Sequence, residues 1–272
     1  MRGNALRLGL AALVMGVITL LWFPESLDGE VLFWLLISGV IGFGFGDIAL
    51  FMAYARVGAR LAVLLNLCSA PLWAAALEMM WLGTRLSAAQ SGAAALILAG
   101  VAVAVASREP TGMPRQGSFV LGVVAGVAAG LGQGVGAVFS RRAIEVAEAG
   151  EIALNGFSAA AQRVAGGLLP ALLAWGLVVW LGRGMPWPRA GARVGASCWL
   201  LAATLAGPVL GVSAFQWALA VAPSALVLAV VATTPVAMIP MAVCFDRERP
   251  GALSVAGAVV AVAGVILLLR VG

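Results

Sequence analysis

Nine stretches of mostly apolar residues run along this chain, at 5–23, 31–54, 61–82, 88–106, 118–140, 156–181, 196–219, 223–245 and 252–270. A helix of about 20 such residues crosses the hydrocarbon core of a bilayer. Only lipid can cover so much apolar surface, and in lipid the backbone must satisfy its own hydrogen bonds, so each stretch predicts a spanning helix. The breaks carry charge and turn chemistry. Residues 24–30 hold Glu25, Asp28 and Glu30, too much charge for hydrocarbon. Arg56, Gly58 and Arg60 end the second run, and Arg141 to Glu151 reads as a polar connector. Pro110, Gly112 and Pro114 lie between Arg108 and Arg115 and mark a linker over 108–117. Pro186 and Pro188 break the chain again, and Asp246 to Pro250 makes a tight charged turn. No small-residue cleavage site stands clear of the first run, which therefore reads as a retained helix rather than a leader.

Composition excludes the soluble alternatives. The chain is 63% hydrophobic and 10% charged, against about 45–50% and about 25% in soluble domains. A soluble enzyme, a disordered chain and a collagen-like chain are ruled out. Without histidine there are no histidine metal sites, triads or pH switches, and no metal or cofactor is expected. All 16 basic residues are Arg and sit mainly in loops without interleaved aromatics, so the net charge of +5 points to membrane topology and not to nucleic acid. Cys68, Cys198 and Cys244 lie in separate apolar runs and read as buried reduced thiols.

The two halves resemble each other. Shifted by 164 residues, Phe51 falls on Phe215, Val57 on Val221, Pro71 on Pro235, Arg85 on Arg249, and Ala99-Gly100-Val101 on Ala263-Gly264-Val265. A shift of 156 pairs Arg7 with Arg163 near the starts of their helices. Helices one to four thus match helices six to nine. Matched helices are five apart, an odd number, so each pair crosses in opposite directions. The fold class is an all-α multi-pass membrane protein of about nine helices in two inverted-topology repeats, 1–107 with four helices and 118–272 with five. Such repeats are common in secondary transporters, whose site lies near the midplane.

The residues Ala53-Tyr54-Ala55-Arg56, Ser69-Ala70-Pro71-Leu72, Gly83-Thr84-Arg85-Leu86-Ser87 and the closing Gly92 to Gly100 helix, with Ala218-Leu219, Thr234-Pro235-Val236 and Arg247-Glu248-Arg249-Pro250 in the second copy, are familiar. In their order the sequence resembles the EamA domain of the drug/metabolite transporter superfamily. The resemblance implies two five-helix units and carriage of small metabolites, amino acids or drugs across the bacterial inner membrane. Against that pattern the first helix of the first unit is missing, and Thr84 stands where the family has Glu, which Glu248 keeps.

Candidate site residues follow from cost and position. Asp47 lies well inside the second helix, where a carboxylate must face an interior or wet cavity, and is a candidate for substrate binding and coupling; packing glue is the alternative. Tyr54 shares its face and is a further candidate, although an interface belt is the stronger reading of it. Asn66, Ser69 and Trp73 share a face of the third helix around Pro71, which would free a backbone carbonyl for a substrate. Pro235, with Thr233 and Thr234, marks the equivalent place in the second copy, and this pair of proline-interrupted helices is the strongest pointer to a site. Gln133 and Gln216 could line a cavity or bond across helices. Glu78, near the end of the third helix, is a weaker coupling candidate that could simply reach the interface. Gly122, Gly126, Gly130 and Gly134 form a packing stripe, and Arg163 could snorkel or pair with a carboxylate.

The sequence therefore reads as a secondary transporter working by alternating access, with small-molecule and lipid partners and weak grounds for a homodimer. A non-transporting regulatory subunit is the alternative. A membrane-embedded lipid enzyme fits less well, for want of paired carboxylates or a nucleophile with its base. No phosphate-binding Gly-x-x-x-x-Gly-Lys loop occurs. Eleven of the arginines fall on the side of the N-terminus and four opposite, favouring N-inside and C-outside, whereas family topology puts the C-terminus inside. A reporter fused after Gly272 decides: the arginine count predicts activity only from a periplasm-active reporter, and cytoplasmic activity defeats it.

Overall fold

The computed structural model describes residues 2–106, 117–182, 190–234, 236 and 251–271. Most of the linker, Pro186, Pro188, Pro235, Cys244 and Glu248 lie outside the described residues. Every regular element among the described residues is helical. They are α1 (Arg2–Trp22), α2 (Gly29–Val57), α3 (Ala59–Trp81), α4 (Ala88–Ala106), α5 (Phe119–Ala149), α6 (Gly156–Trp180), α7 (190–221), α8 (Ser224–Val231) and α9 (Ala252–Val271). Six of these, α1, α2, α3, α5, α6 and α7, contain stretches long and apolar enough to cross a membrane; α4 and α9 carry shorter apolar stretches. Large apolar side chains such as Leu13, Leu20, Trp180 and Trp199 are exposed, as a lipid-facing surface requires.

Local chemistry sets the helix ends. The Asp28 carboxylate accepts from Glu30 N (2.9 Å) and Val31 N (3.1 Å) at the start of α2. Asn155 and Ser158 close a capping box at the start of α6. Gly58, at φ +83°, turns the chain from α2 into α3 with a backbone that L side chains rarely adopt. One boundary differs from expectation. Arg141 to Ala149 continues α5 instead of forming a connector, because its charges find partners there. Arg141 Nη1 donates to the Leu219 and Ala222 carbonyls (2.7 Å each) at the end of α7, and Arg142 pairs with Glu145 at 3.5 Å.

Both α2 and α7 contain one π-helical segment, Val40–Gly46 and Leu205–Gly211. These places correspond in the two sequence repeats. Three glycines (Gly42, Gly44, Gly46) admit the wide turn in α2, and Pro208, which cannot donate, sits in the α7 segment.

The helices gather into two compact units, each drawing on both sequence repeats. Unit 1 holds residues Met1–Ile48 and Val135–Ala222; unit 2 holds Ala49–Gly134 and Pro223–Gly272.

In unit 2, α4 packs on α9 through a contact made twice. A Cβ on Gly100 would fall against the backbone of Ala261, and one on Gly264 would lie 2.9 Å from the backbone nitrogen of Ile97. Ala261 is the repeat mate of Ile97, and Gly264 of Gly100, so the contact is self-complementary, as a twofold relation between repeats demands. Around it Ala93, Ile97, Val101, Leu226, Ala229 and Ala261 form a buried core. The glycine stripe of α5 meets Val57 at the end of α2 and then follows α3: Gly122 faces Val57, Gly126 faces Leu65, Gly130 faces Ser69 and Gly134 faces Ala70 and Ala74.

In unit 1, α1 packs on α6 around Leu8, Ala11, Met15, Ala160 and Val164. The first part of α2 crosses α6 at backbone distance. A Cβ on Gly39 would collide with the Arg163 carbonyl, one on Gly166 with the Leu36 carbonyl, and one on Gly44 would come within 2.6 Å of Pro170. Of the free cysteines, Cys68 is half-buried but Cys198 is exposed on α7, so the expected burial fails there: its helix face looks outward.

Gly100→Val should cost roughly 1–3 kcal/mol, the usual range for overpacking, and lower the melting midpoint in detergent. Gly92→Ala, whose Cβ meets nothing within 4 Å, should not lower it.

Candidate functional site

Charge buried in a spanning helix is costly and must be partnered, and unit 1 gathers three such side chains. Asp47 follows the π-helical segment of α2 and is half-buried. Its Oδ2 accepts from Asn4 Nδ2 at 2.8 Å, and Arg7 Nη2 donates to Asn4 Oδ1 at 2.7 Å. Asn4 and Arg7 stand one helical turn apart on α1 and present a joined polar edge to α2.

Arg163, in the second turn of α6, does not snorkel. It is 2% exposed, and its guanidinium lies between the rings of Phe43 (5.2 Å) and Phe215 (5.0 Å). Its charge acts on Asp47, as does that of Arg7. Arg163 Nε and Nη1 have no hydrogen-bond partner among the described residues. The head group fits only because α2 has glycine opposite: a Cβ on Gly42 would lie 2.9 Å from Nη2. The repeat mate, Arg7, occupies the matching position, with Nη1 3.7 Å from where a Cβ of Gly207 in the α7 π-helical segment would stand. Each arginine thus faces a glycine in the widened turn of the opposite repeat.

A second polar group in unit 1 ends on Gln216, which is 1% exposed. Ser38 Oγ donates to the Gly136 carbonyl, so its single proton is committed and Ser140 must donate to Ser38 across 2.8 Å. Gln216 Nε2 completes the chain by donating to Ser140 Oγ at 3.0 Å, while its Oε1 has no partner among the described residues. Gln216 also lines a small cavity of about 80 Å³ with Glu148, Gly156 and Ala159.

Unit 2 holds other candidates. Asn66 is 5% exposed and its Oδ1 has no partner among the described residues. Ser69 Oγ bonds back to the Leu65 carbonyl at 2.6 Å, a local use of the hydroxyl. α3 runs on through Pro71 rather than stopping there. Trp73 is 39% exposed, Gln133 and Tyr54 are half-buried, and Tyr54 meets Phe51 edge-on at 5.9 Å. Thr233 and Thr234 return their hydroxyls to the Val230 and Val231 carbonyls (2.7 and 2.6 Å). Glu78 does not reach the interface. It is 1% exposed, and its Oε1 accepts from Ser224 N (2.9 Å) and Ser224 Oγ (3.0 Å), placing a carboxylate at the start of α8.

The structure therefore joins Asp47 to residues that sequence reasoning left out. Asn4 carried a usable signal, a polar residue one turn from Arg7. Phe43 and Phe215 carried none, since an apolar ring in an apolar helix does not announce a buried cation.

These features define a multi-pass membrane protein of two related halves with charged side chains held in its spanning helices, the build of a transporter. The EamA-like transporter family model matches residues 1–106 and 120–270, and the chain belongs to that family. A solved crystal structure shares the fold over 99% of this chain and 86% of its own, with a TM-score of 0.74 at 20% identity. No curated protein matches the sequence.

Glu78→Leu strands both Ser224 donors in an apolar setting and should cost about 1–3 kcal/mol. Glu78→Gln keeps an acceptor and should lose less, read as melting midpoints in one detergent.

Proposed function

We propose that this protein is a secondary transporter that moves small metabolites, amino acids or drug-like compounds among them, across the bacterial inner membrane by alternating access. The observation that carries this reading is the Asp47–Asn4–Arg7 chain beside Arg163, charge held inside spanning helices at considerable cost. Packing alone would be served more cheaply by apolar side chains. Family membership supports the same reading. Asp47 would bind the substrate or a coupling proton, and Gln216 would line the path in unit 1. Asn66, Ser69, Trp73, Thr233 and Thr234 form the corresponding candidate set in unit 2. The reading assigns no catalytic residue and no cofactor.

Uptake of labelled metabolites into proteoliposomes tests it. The wild type should accumulate at least one compound saturably. Asp47→Asn, which keeps the Asn4 hydrogen bond and removes the charge, should reduce that uptake roughly tenfold or more, the usual worth of a charged hydrogen-bond partner. No uptake across a broad panel, or full uptake by the variant, would sink the proposal.

A further inference from the structure

The charges gathered around Asp47 in unit 1 do not balance. Two arginines, related by the sequence repeat, each face a glycine in a π-helical segment of the opposite repeat. Among the described residues of this cluster, only the first repeat supplies an acid. Asp47 follows the first segment directly, while the second is followed by Val212. Arg7 and Arg163 against Asp47 leave one positive charge over, and protonation of Asp47 would only enlarge the excess. Among the described residues Arg163 is left with Nε and Nη1 unspent at 2% exposure, and a guanidinium in such surroundings needs an anion to offset its desolvation.

We infer that Arg163 is the anion-binding residue of unit 1 and takes the carboxylate of an apolar monoanion. Nε–H and Nη1–H lie on different sides of the guanidinium and each shares a fork with Nη2, so one carboxylate takes Nη2 together with one of the two unspent donors. The flanking rings of Phe43 and Phe215 favour an apolar body on the ligand. A zwitterion would leave the excess charge in place, and a cation would add to it. The inference rests on the transport reading only in making the ligand a substrate, so binding and uptake are measured separately.

Binding is read on purified wild type in a neutral detergent at constant chloride, by melting shift and calorimetric titration. The probes are benzoate, benzamide and benzylammonium, which share a ring and differ in charge. Benzoate should bind and raise the melting midpoint; the other two should not. Arg163→Gln should weaken benzoate at least tenfold, and Arg163→Lys should recover part of it, since lysine keeps the charge but loses the fork. Asp47→Asn removes the competing acid and should tighten benzoate roughly tenfold by the Coulomb energy of a charge several ångströms away. This last variant keeps the Asn4 bond and decides the matter even if Arg163→Gln does not fold.

Benzamide binding as well as benzoate, benzoate affinity unchanged in Arg163→Gln or unimproved in Asp47→Asn, or stabilisation by phosphatidylglycerol alone would each overturn the inference. Benzoate binding in the expected order without uptake of any carboxylate would remove the transport reading and keep the site. Uptake of a zwitterion by a protein blind to benzoate would do the reverse.

Discussion

Two helix backbones must touch before hydrocarbon will tolerate a guanidinium between them, and in unit 1 that contact is made by glycine. Gly39 on α2 meets the Arg163 carbonyl and the Gly167 nitrogen on α6, Gly166 meets the Leu36 backbone, and Gly44 meets the Pro170 ring, all at distances no Cβ would permit. The close crossing excludes lipid, the missing side chain at Gly42 leaves room for the head group, and Phe43, one residue on, covers it. Widening α2 into a π-helical turn then delivers Asp47 to the polar edge of α1. Without the close crossing, Arg163 would have to extend toward the interface, as long basic side chains on isolated helices do.

The same constraint operates in unit 2 with different groups. Glycines set the approach of α4 to α9 and of α5 to α3, and the buried acid there, Glu78, satisfies a helix start instead of meeting a cation. Two carboxylates of similar depth in the sequence thus do different work. One holds a backbone end that lipid could not solvate. The other sits among cations, where its interaction free energy depends on what else is charged nearby.

The order of helices and the repeat were legible because both rest on signals that add up over many residues. Hydropathy over about 20 positions marks the helices, and Gly100 and Gly264, matched by the repeat, make equivalent contacts between α4 and α9. Asp47 was legible for the same reason, as an isolated acid in an apolar run. The end of α5 was misread because Arg141 and Glu145 look like a connector until the α7 carbonyls that Arg141 caps are known. The π-helical segments could not be read at all: one extra residue in a turn leaves no compositional mark beyond a few glycines. Glu78 looked like an interface residue because its partner, Ser224, lies 146 positions away.

The absence of an acid opposite Asp47 in the second repeat has a consequence for energetics. Two identical halves related by a twofold axis would give a rocking carrier two openings of equal free energy, populated equally. Placing Asp47 in one half, with no acid at the matching place in the other, lifts that degeneracy. A carrier of that kind would rest, without ligand, with one side favoured, by an amount set by how differently Asp47 is solvated in the two openings, and a change of about 1.4 kcal/mol would shift the resting ratio tenfold.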